Sequence, residues 1–185
     1  MFAPSGYCLG MTLIAATIET PLCTMHAATT DTGICLLEMG SPERQSREQE
    51  ELELAFDEPM IQGTHPLLTQ LSAELDAYFA GDLREFNVPL NTPGTEWQQR
   101  VWGALVSIPF GETVSYGELA TRLSNPGGSR AVGLANGKNR VSIIIPCHRV
   151  IAADGTLHGY GGGIKRKRWL LDHEQLHAGA GLFAQ

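Results

Sequence analysis

The sequence predicts an α/β protein of two domains. A small sheet-plus-helix domain occupies residues 1–92, and a mainly helical domain occupies 93–185, with a helix-turn-helix and a short strand leading to a cysteine. Three observations carry this reading. Residues 11–18 and 26–39 alternate in the manner of strands, whereas the later apolar positions recur at helical spacing. The charge changes sign near Pro93: residues 1–92 hold 3 basic and 14 acidic side chains and 93–185 hold 10 and 6, so the net charge of -7 conceals halves of about -11 and +4. The length of 185 residues suits one domain or two small ones. With 43% hydrophobic and 18% charged residues, and 21 Gly and 10 Pro in no Gly-x-y period, extended disorder and collagen are excluded. The whole-chain charge alone would disfavour nucleic acid, because phosphate contacts need positive charge. The basic half removes that objection.

In chain order, MTLIAATI (11–18) and HAATTDTGICLLEM (26–39) predict strands joined by at least one hairpin through Asp31-Thr32-Gly33, with Cys35 facing the core. The acidic ERQSREQEELELAFDE (43–58) reads as a solvated loop or helix face and is assigned no chemistry. Leu67, Leu68, Leu71, Leu75, Tyr78 and Phe79 predict a helix over about 66–80, with Thr64 and Pro66 at its start and Gly81 at its stop. Trp97, Val101, Trp102, Leu105 and Val106 form a second stripe after a Thr95 cap. Shorter helices follow over about 115–123 and 128–136, with SNPGG between them, and this pair permits a helix-turn-helix. Ala131, Val132, Gly133 and Ala135 make the later helix slim enough for close approach to another surface. Arg130 at its start is placed to reach phosphate or an opened base stack, or is an ordinary surface arginine.

VSIIIPCHRV is the most informative segment. It reads as a buried strand, Val141 to Ile145, stopped at Pro146 and presenting Cys147-His148. A thiol is far more reactive as a thiolate, and histidine accepts a proton near neutral pH, so the pair suits a nucleophile and its base. A buried cysteine beside a surface histidine is the plainer reading. Asn139, Tyr116 and Glu174 could complete the chemistry, or serve as a turn cap, packing and surface charge. HGYGGGIKRKRW (158–169) offers Gly161 to Gly163 for close approach to a flat ligand and Lys165, Arg166, Lys167 and Arg168 for phosphates, or merely a tight turn before a solvated helix.

IPFGETVSYGELA, SRAVGLANGKN, IIIPCHRVI, GYGGG and KRKRWLLDHE stand in one order over about 95–174, and LDAYFAGDLREFNVPL extends the pattern back toward residue 66. This set closely resembles the methylated-DNA:protein-cysteine methyltransferases, or alkylguanine DNA alkyltransferases. The resemblance implies a ribonuclease-H-like N-terminal domain and a single-use repair protein that takes an alkyl group from O6-alkylguanine, and from O4-alkylthymine. Cys147 matches the acceptor, His148 the histidine that activates it through water, Glu174 the supporting carboxylate and Asn139 the asparagine that orders the network. Tyr116 matches the tyrosine beside the extruded base. Tyr160, the Gly161 backbone and the Cys147 and Val150 carbonyls match the pocket wall, and Arg130 matches the arginine that fills the vacated stack. Extrusion costs about a few kcal/mol of unstacking.

The partner so implied is alkylated double-stranded DNA, met mainly through the minor groove by Ser129, Arg130, Ala131, Gly133, Arg140 and Lys165. No cofactor, membrane or obligate protein partner is implied; the expectation is a cytoplasmic monomer with reduced thiols. Cys8, Cys23 and His26 do not make a four-ligand zinc pattern, so no metal is expected. A fused N-terminal sensor module is not expected either. Departures are few: Asn139-Arg140 replaces Asn-Pro, Trp97-Gln98 replaces Phe-Gln, and Gly161 replaces the serine of some relatives, leaving a backbone donor there. The alternatives are a damage-binding protein without transfer, which Cys147 opposes, a DNA-binding regulator, and an unrelated thiol hydrolase.

Overall fold

The computed structural model describes residues 12–179. Strands β1 (Leu13–Glu19), β2 (Thr24–Thr30) and β3 (Gly33–Glu38) form an antiparallel meander, and β4 (Met60–Gln62) adds to β1 in parallel, giving the order β3-β2-β1-β4. Between β2 and β3 the register steps from Ala28–Leu36 to Thr29–Ile34, which leaves Cys35 as the extra residue of a bulge. Met11, the first residue of the expected opening strand, lies outside the described residues, as does Cys8.

The sheet is covered on both faces. Leu13, Ala15, Ala28 and Leu36 pack against Leu52 and Phe56 of α1 (Pro42–Phe56). The opposite face, Ile18, Met25, Ala27, Ile34 and Leu37, packs on α2 (Pro66–Ala80) and continues without a break into the second half of the chain through Trp102, Leu105, Val132 and Leu170. Each fully buried leucine of α2, Leu71 and Leu75, is worth about 1.5–3 kcal/mol by burial. The acidic 43–58 segment is thus a helix rather than a loop. Ser41 caps it by accepting from the Arg44 amide, Pro42 opens it, and Leu52 turns inward. At α2 the cap is His65, whose Nδ1 accepts from the Leu67 amide, between Thr64 and Pro66; Gly81 stops the helix at φ 86°.

The second half holds α3 (Glu96–Val106), β5 (Val114–Ser115), α4 (Tyr116–Arg122), α5 (Ser129–Gly137), a 3-10 turn (Cys147–Arg149), β6 (Val150–Ile151) and α6 (Ile164–Ala178). Capping boxes start α3, through Thr95 and Gln98, and α4, through Ser115 and Glu118. Helices α4 and α5 form the helix-turn-helix. Both tryptophans of α3 hold α5 by its backbone: Trp97 Nε1 donates to Ala131 O at 3.3 Å and Trp102 Nε1 to Ala135 O at 3.0 Å. Ser129, Arg130 and Leu134 are left facing outward. No helix among the described residues is long and apolar enough to cross a membrane.

The run from Val141 to Ile145 departs from the expected strand. Val141 alone bridges in parallel to Leu37, and the chain then coils, with Ile143 at φ 72°. Four apolar residues, three of them buried, suit any interior segment, so their pattern alone does not distinguish a strand from a buried turn. Asn139 decides the shape. Its Oδ1 accepts from the Val141 amide at 2.9 Å and its Nδ2 donates to Ile145 O at 2.9 Å, closing the loop on itself.

Candidate active site

The coil delivers the chain through Pro146 to the 3-10 turn, which places Cys147, His148 and Arg149 in the interior in succession. His148 Nε2 lies 2.7 Å from Glu174 Oε1. A carboxylate only accepts, so Nε2 carries the hydrogen and Nδ1 is the free acceptor. That Nδ1 is buried without a hydrogen-bond partner among the described residues. Glu174, at the inner face of α6, also accepts from Arg149 Nε at 2.8 Å, Arg149 Nη2 at 3.0 Å, the Tyr78 hydroxyl at 2.9 Å and the Gly111 amide at 3.1 Å. Burial alone would raise its pKa, but the hydrogen bonds and charges of His148 and Arg149 prevail and hold the carboxyl well below the usual carboxylate range. Burial lowers the pKa of His148, outweighing the pull of Glu174, so the imidazole is neutral near pH 7. Burial pushes the Cys147 thiol up to about 11, against the opposing influence of Asn139, Lys167 and Arg44.

Cys147, His148, Asn139 and Glu174, which the sequence singled out, are therefore brought together. Tyr116 stands at the first turn of α4 beside Gly133 of α5, and its phenol pKa is raised by burial and then by Cys147. Tyr160 and Gly161 line the cleft that holds Cys147, with the Tyr160 hydroxyl buried and without a hydrogen-bond partner among the described residues. The two carbonyls expected to read the base are already engaged: Cys147 O accepts from Asn136 Nδ2 at 3.4 Å and Val150 O from Lys167 Nζ at 2.6 Å.

The basic cluster does not act as one patch. Lys165 and Arg168 are exposed, but Arg166 donates to the Met39 and Gly162 carbonyls, and Lys167 is fully buried, donating also to His158 O. Arg140, expected at phosphate, instead pairs with Glu51 and donates to Pro93 O at 3.3 Å. With no proline at that position, its side chain is free to bind the acidic α1. Sequence reasoning also missed Arg149, although it directly follows His148, and Tyr78, the one polar group in the α2 stripe. It assigned nothing to Arg44, whose position on an acidic helix gave no signal of a site.

Fold and site together define a thiol-centred protein whose reactive turn stands behind a helix-turn-helix. Residues 13–92 match the family model described as the 6-O-methylguanine DNA methyltransferase ribonuclease-like domain, and 96–176 match the DNA binding domain of the same family. The methylated-DNA–protein-cysteine methyltransferase of Mycobacterium tuberculosis is 62% identical over 109 residues, 59% of this chain and 66% of that protein. Its Methanosarcina acetivorans counterpart is 54% identical over 105 residues, covering 57% and 67%. The sequence match to the mycobacterial relative thus spans just under two thirds of its length. Structural similarity reaches further: the M. tuberculosis O6-methylguanine methyltransferase superposes with a TM-score of 0.75 at 43% identity, over 91% of this chain and 96% of that one. The structure of M. tuberculosis OGT in complex with DNA gives 0.75 and 43%, over 89% and 94%. This chain belongs to the methylated-DNA–protein-cysteine methyltransferase family.

Proposed function

We propose that this protein repairs alkylated DNA by moving the alkyl group of O6-alkylguanine onto its own Cys147, once per chain. The observation that carries the reading is the buried thiol beside an imidazole fixed by Glu174 through Nε2, with Nδ1 left open to take a proton. A thiol pKa near 11 leaves little free thiolate at pH 7, so deprotonation must accompany attack. Nδ1 of His148 takes the thiol proton through water, and Glu174 stabilises the resulting imidazolium. The sulfur forms a bond to the alkyl carbon as the carbon–oxygen bond breaks, and the electron pair stays on the guanine. Tyr116, kept protonated by its raised pKa, donates toward that charge. The thioether is stable, which makes the protein a reagent as well as a catalyst.

DNA is met through the outward face of α5. Exposed Ser129 and Arg130 stand at its start, and the small residues Ala131 and Gly133 fit a minor-groove approach by a monomer in which Arg130 replaces the extruded nucleotide. Intact-mass measurement after incubation with an O6-methylguanine duplex is expected to show one added methyl per chain, located on Cys147. Undiminished transfer by Cys147→Ala would refute the assignment.

A further inference from the structure

We infer that Arg44, on helix α1 of the N-terminal domain, is a catalytic residue: its guanidinium donates to the oxygen of the leaving guanine and stabilises the charge that develops there. This rests on the alkyl transfer proposed above. Arg44 is held on two sides. Its Nε donates to Glu38 Oε2 at 2.9 Å, and its Nη2 pairs with Glu48 Oε1 at 2.8 Å and donates to Asn139 O at 3.3 Å. Nη1 makes no hydrogen bond among the described residues, and Arg44 lines the same cleft as Cys147, Tyr160 and Gly161.

Gly161 fixes where the free edge points. A Cβ built there would lie 2.5 Å from Arg44 Nη1 and 2.6 Å from its Cζ. The backbone of Gly161 is not in the left-handed region, so it is the space taken by the guanidinium, and not φ, that calls for glycine. The cleft itself is about 10 Å³, too small for a purine. Base entry therefore requires a wall to move. The Tyr160–Gly163 loop is the wall that can yield, because Arg44 is tethered by two buried glutamates.

The chemistry needs a cation at this place. As sulfur displaces oxygen, negative charge gathers on the guanine oxygen in a site with little water, where a fixed charged donor is worth most. Two carboxylates around one guanidinium would ordinarily overwhelm its charge. Burial and the neighbouring Glu38 raise the pKa of Glu48, however, so that Arg44 faces less than two full negative charges.

The test is single-turnover transfer at saturating O6-methylguanine duplex, with duplex affinity measured separately, for wild type, Arg44→Met, Arg44→Lys and Gly161→Ala. Arg44→Met should transfer about 100-fold more slowly with affinity little changed. Arg44→Lys, which keeps the charge and loses the fork, should fall between it and wild type. Gly161→Ala should slow transfer because its methyl group and Arg44 Nη1 cannot share the space, which displaces the loop and blocks the free edge, and the double variant Arg44→Met with Gly161→Ala should be no slower than the slower single. The penalty should also shrink for O6-benzylguanine bases bearing an electron-withdrawing group at C8, whose leaving oxygen needs less help; a merely structural Arg44 would slow every substrate alike. If Arg44→Met fails to fold, Gly161→Ala, which retains both glutamate pairs, carries the test. Lost affinity with unchanged rate, or additive losses in the double variant, overturns the assignment. Absence of transfer by wild type overturns the underlying reading; normal transfer by wild type and Arg44→Met overturns the role of Arg44 alone.

Discussion

Two buried ion clusters adjoin the Cys147 turn, and their composition is inverted. Around Glu174, one carboxylate receives five hydrogen bonds from Tyr78, Gly111, His148 and Arg149. Around Arg44, one guanidinium is shared by two carboxylates and a carbonyl, with Nη1 left over. The first cluster has no capacity to spare. Its acceptor is saturated, so its work is to hold His148 in one orientation and tautomer. The second is anchored but incomplete, the condition of a group able to bind something else. Rigidity and reactivity are thus assigned to separate clusters, one built in the second half with Tyr78 of the first as one donor, and one reaching across from the first.

The largest effect that can separate them comes from Glu174→Gln. Removing the charge strands Arg149 in the interior and should cost about 3–5 kcal/mol in denaturant unfolding, together with most of the transfer rate. A loss of rate with unchanged stability would mean the cluster is not the structural one.

Acid comes next. Glu174 is ionised in the fold far below its ordinary value of 4.5, so the stability it confers is present above that pH and lost as pH falls beneath it. His148 adds to the loss from a higher starting point. Its folded pKa lies below 6.5, so the unfolded chain takes up that proton first and stability declines as pH drops through 6.5. The melting temperature should therefore fall in two stages on acidification, and Glu174→Gln should remove the lower one.

Tyr78→Phe is the gentlest cut. Glu174 keeps four of its hydrogen bonds, so the loss should be about 1 kcal/mol with transfer nearly intact. A large drop in transfer would give Tyr78 a role beyond support.

Much of this was legible in the sequence, and the gaps have physical reasons. Helices α2 and α3 carry their period and their stops in their own letters: Leu71 and Leu75 four apart with Gly81 after them, and Thr95 with Gln98 before Trp102. The Cys147 turn was legible because the Cys147-His148 pair sits in contiguous residues. Helix α1 was not, since its buried positions are a sparse Glu48 and Leu52 in an acidic run, and a charged residue turned inward cannot be told from one turned out without its partners. The same limit hid Lys167 and Arg140. Both were counted as phosphate contacts because charge alone was visible, whereas the first is claimed by two carbonyls and the second by Glu51.

The bridge between Leu37 and Val141 has a consequence in time. The Leu37 amide donates to Arg140 O and its carbonyl accepts from the Ser142 amide, both at 2.8 Å, so the edge strand β3 is stitched to the coil that delivers Cys147 from about a hundred residues downstream. Contacts at such separation in sequence are made late, after the local helices and hairpins. During synthesis the meander leaves the ribosome long before its stitching partner, exposing an unpaired edge until the rest of the chain arrives. The reactive turn is then assembled upon a finished sheet. A nascent chain therefore carries its sheet for some time before it carries the Cys147 turn.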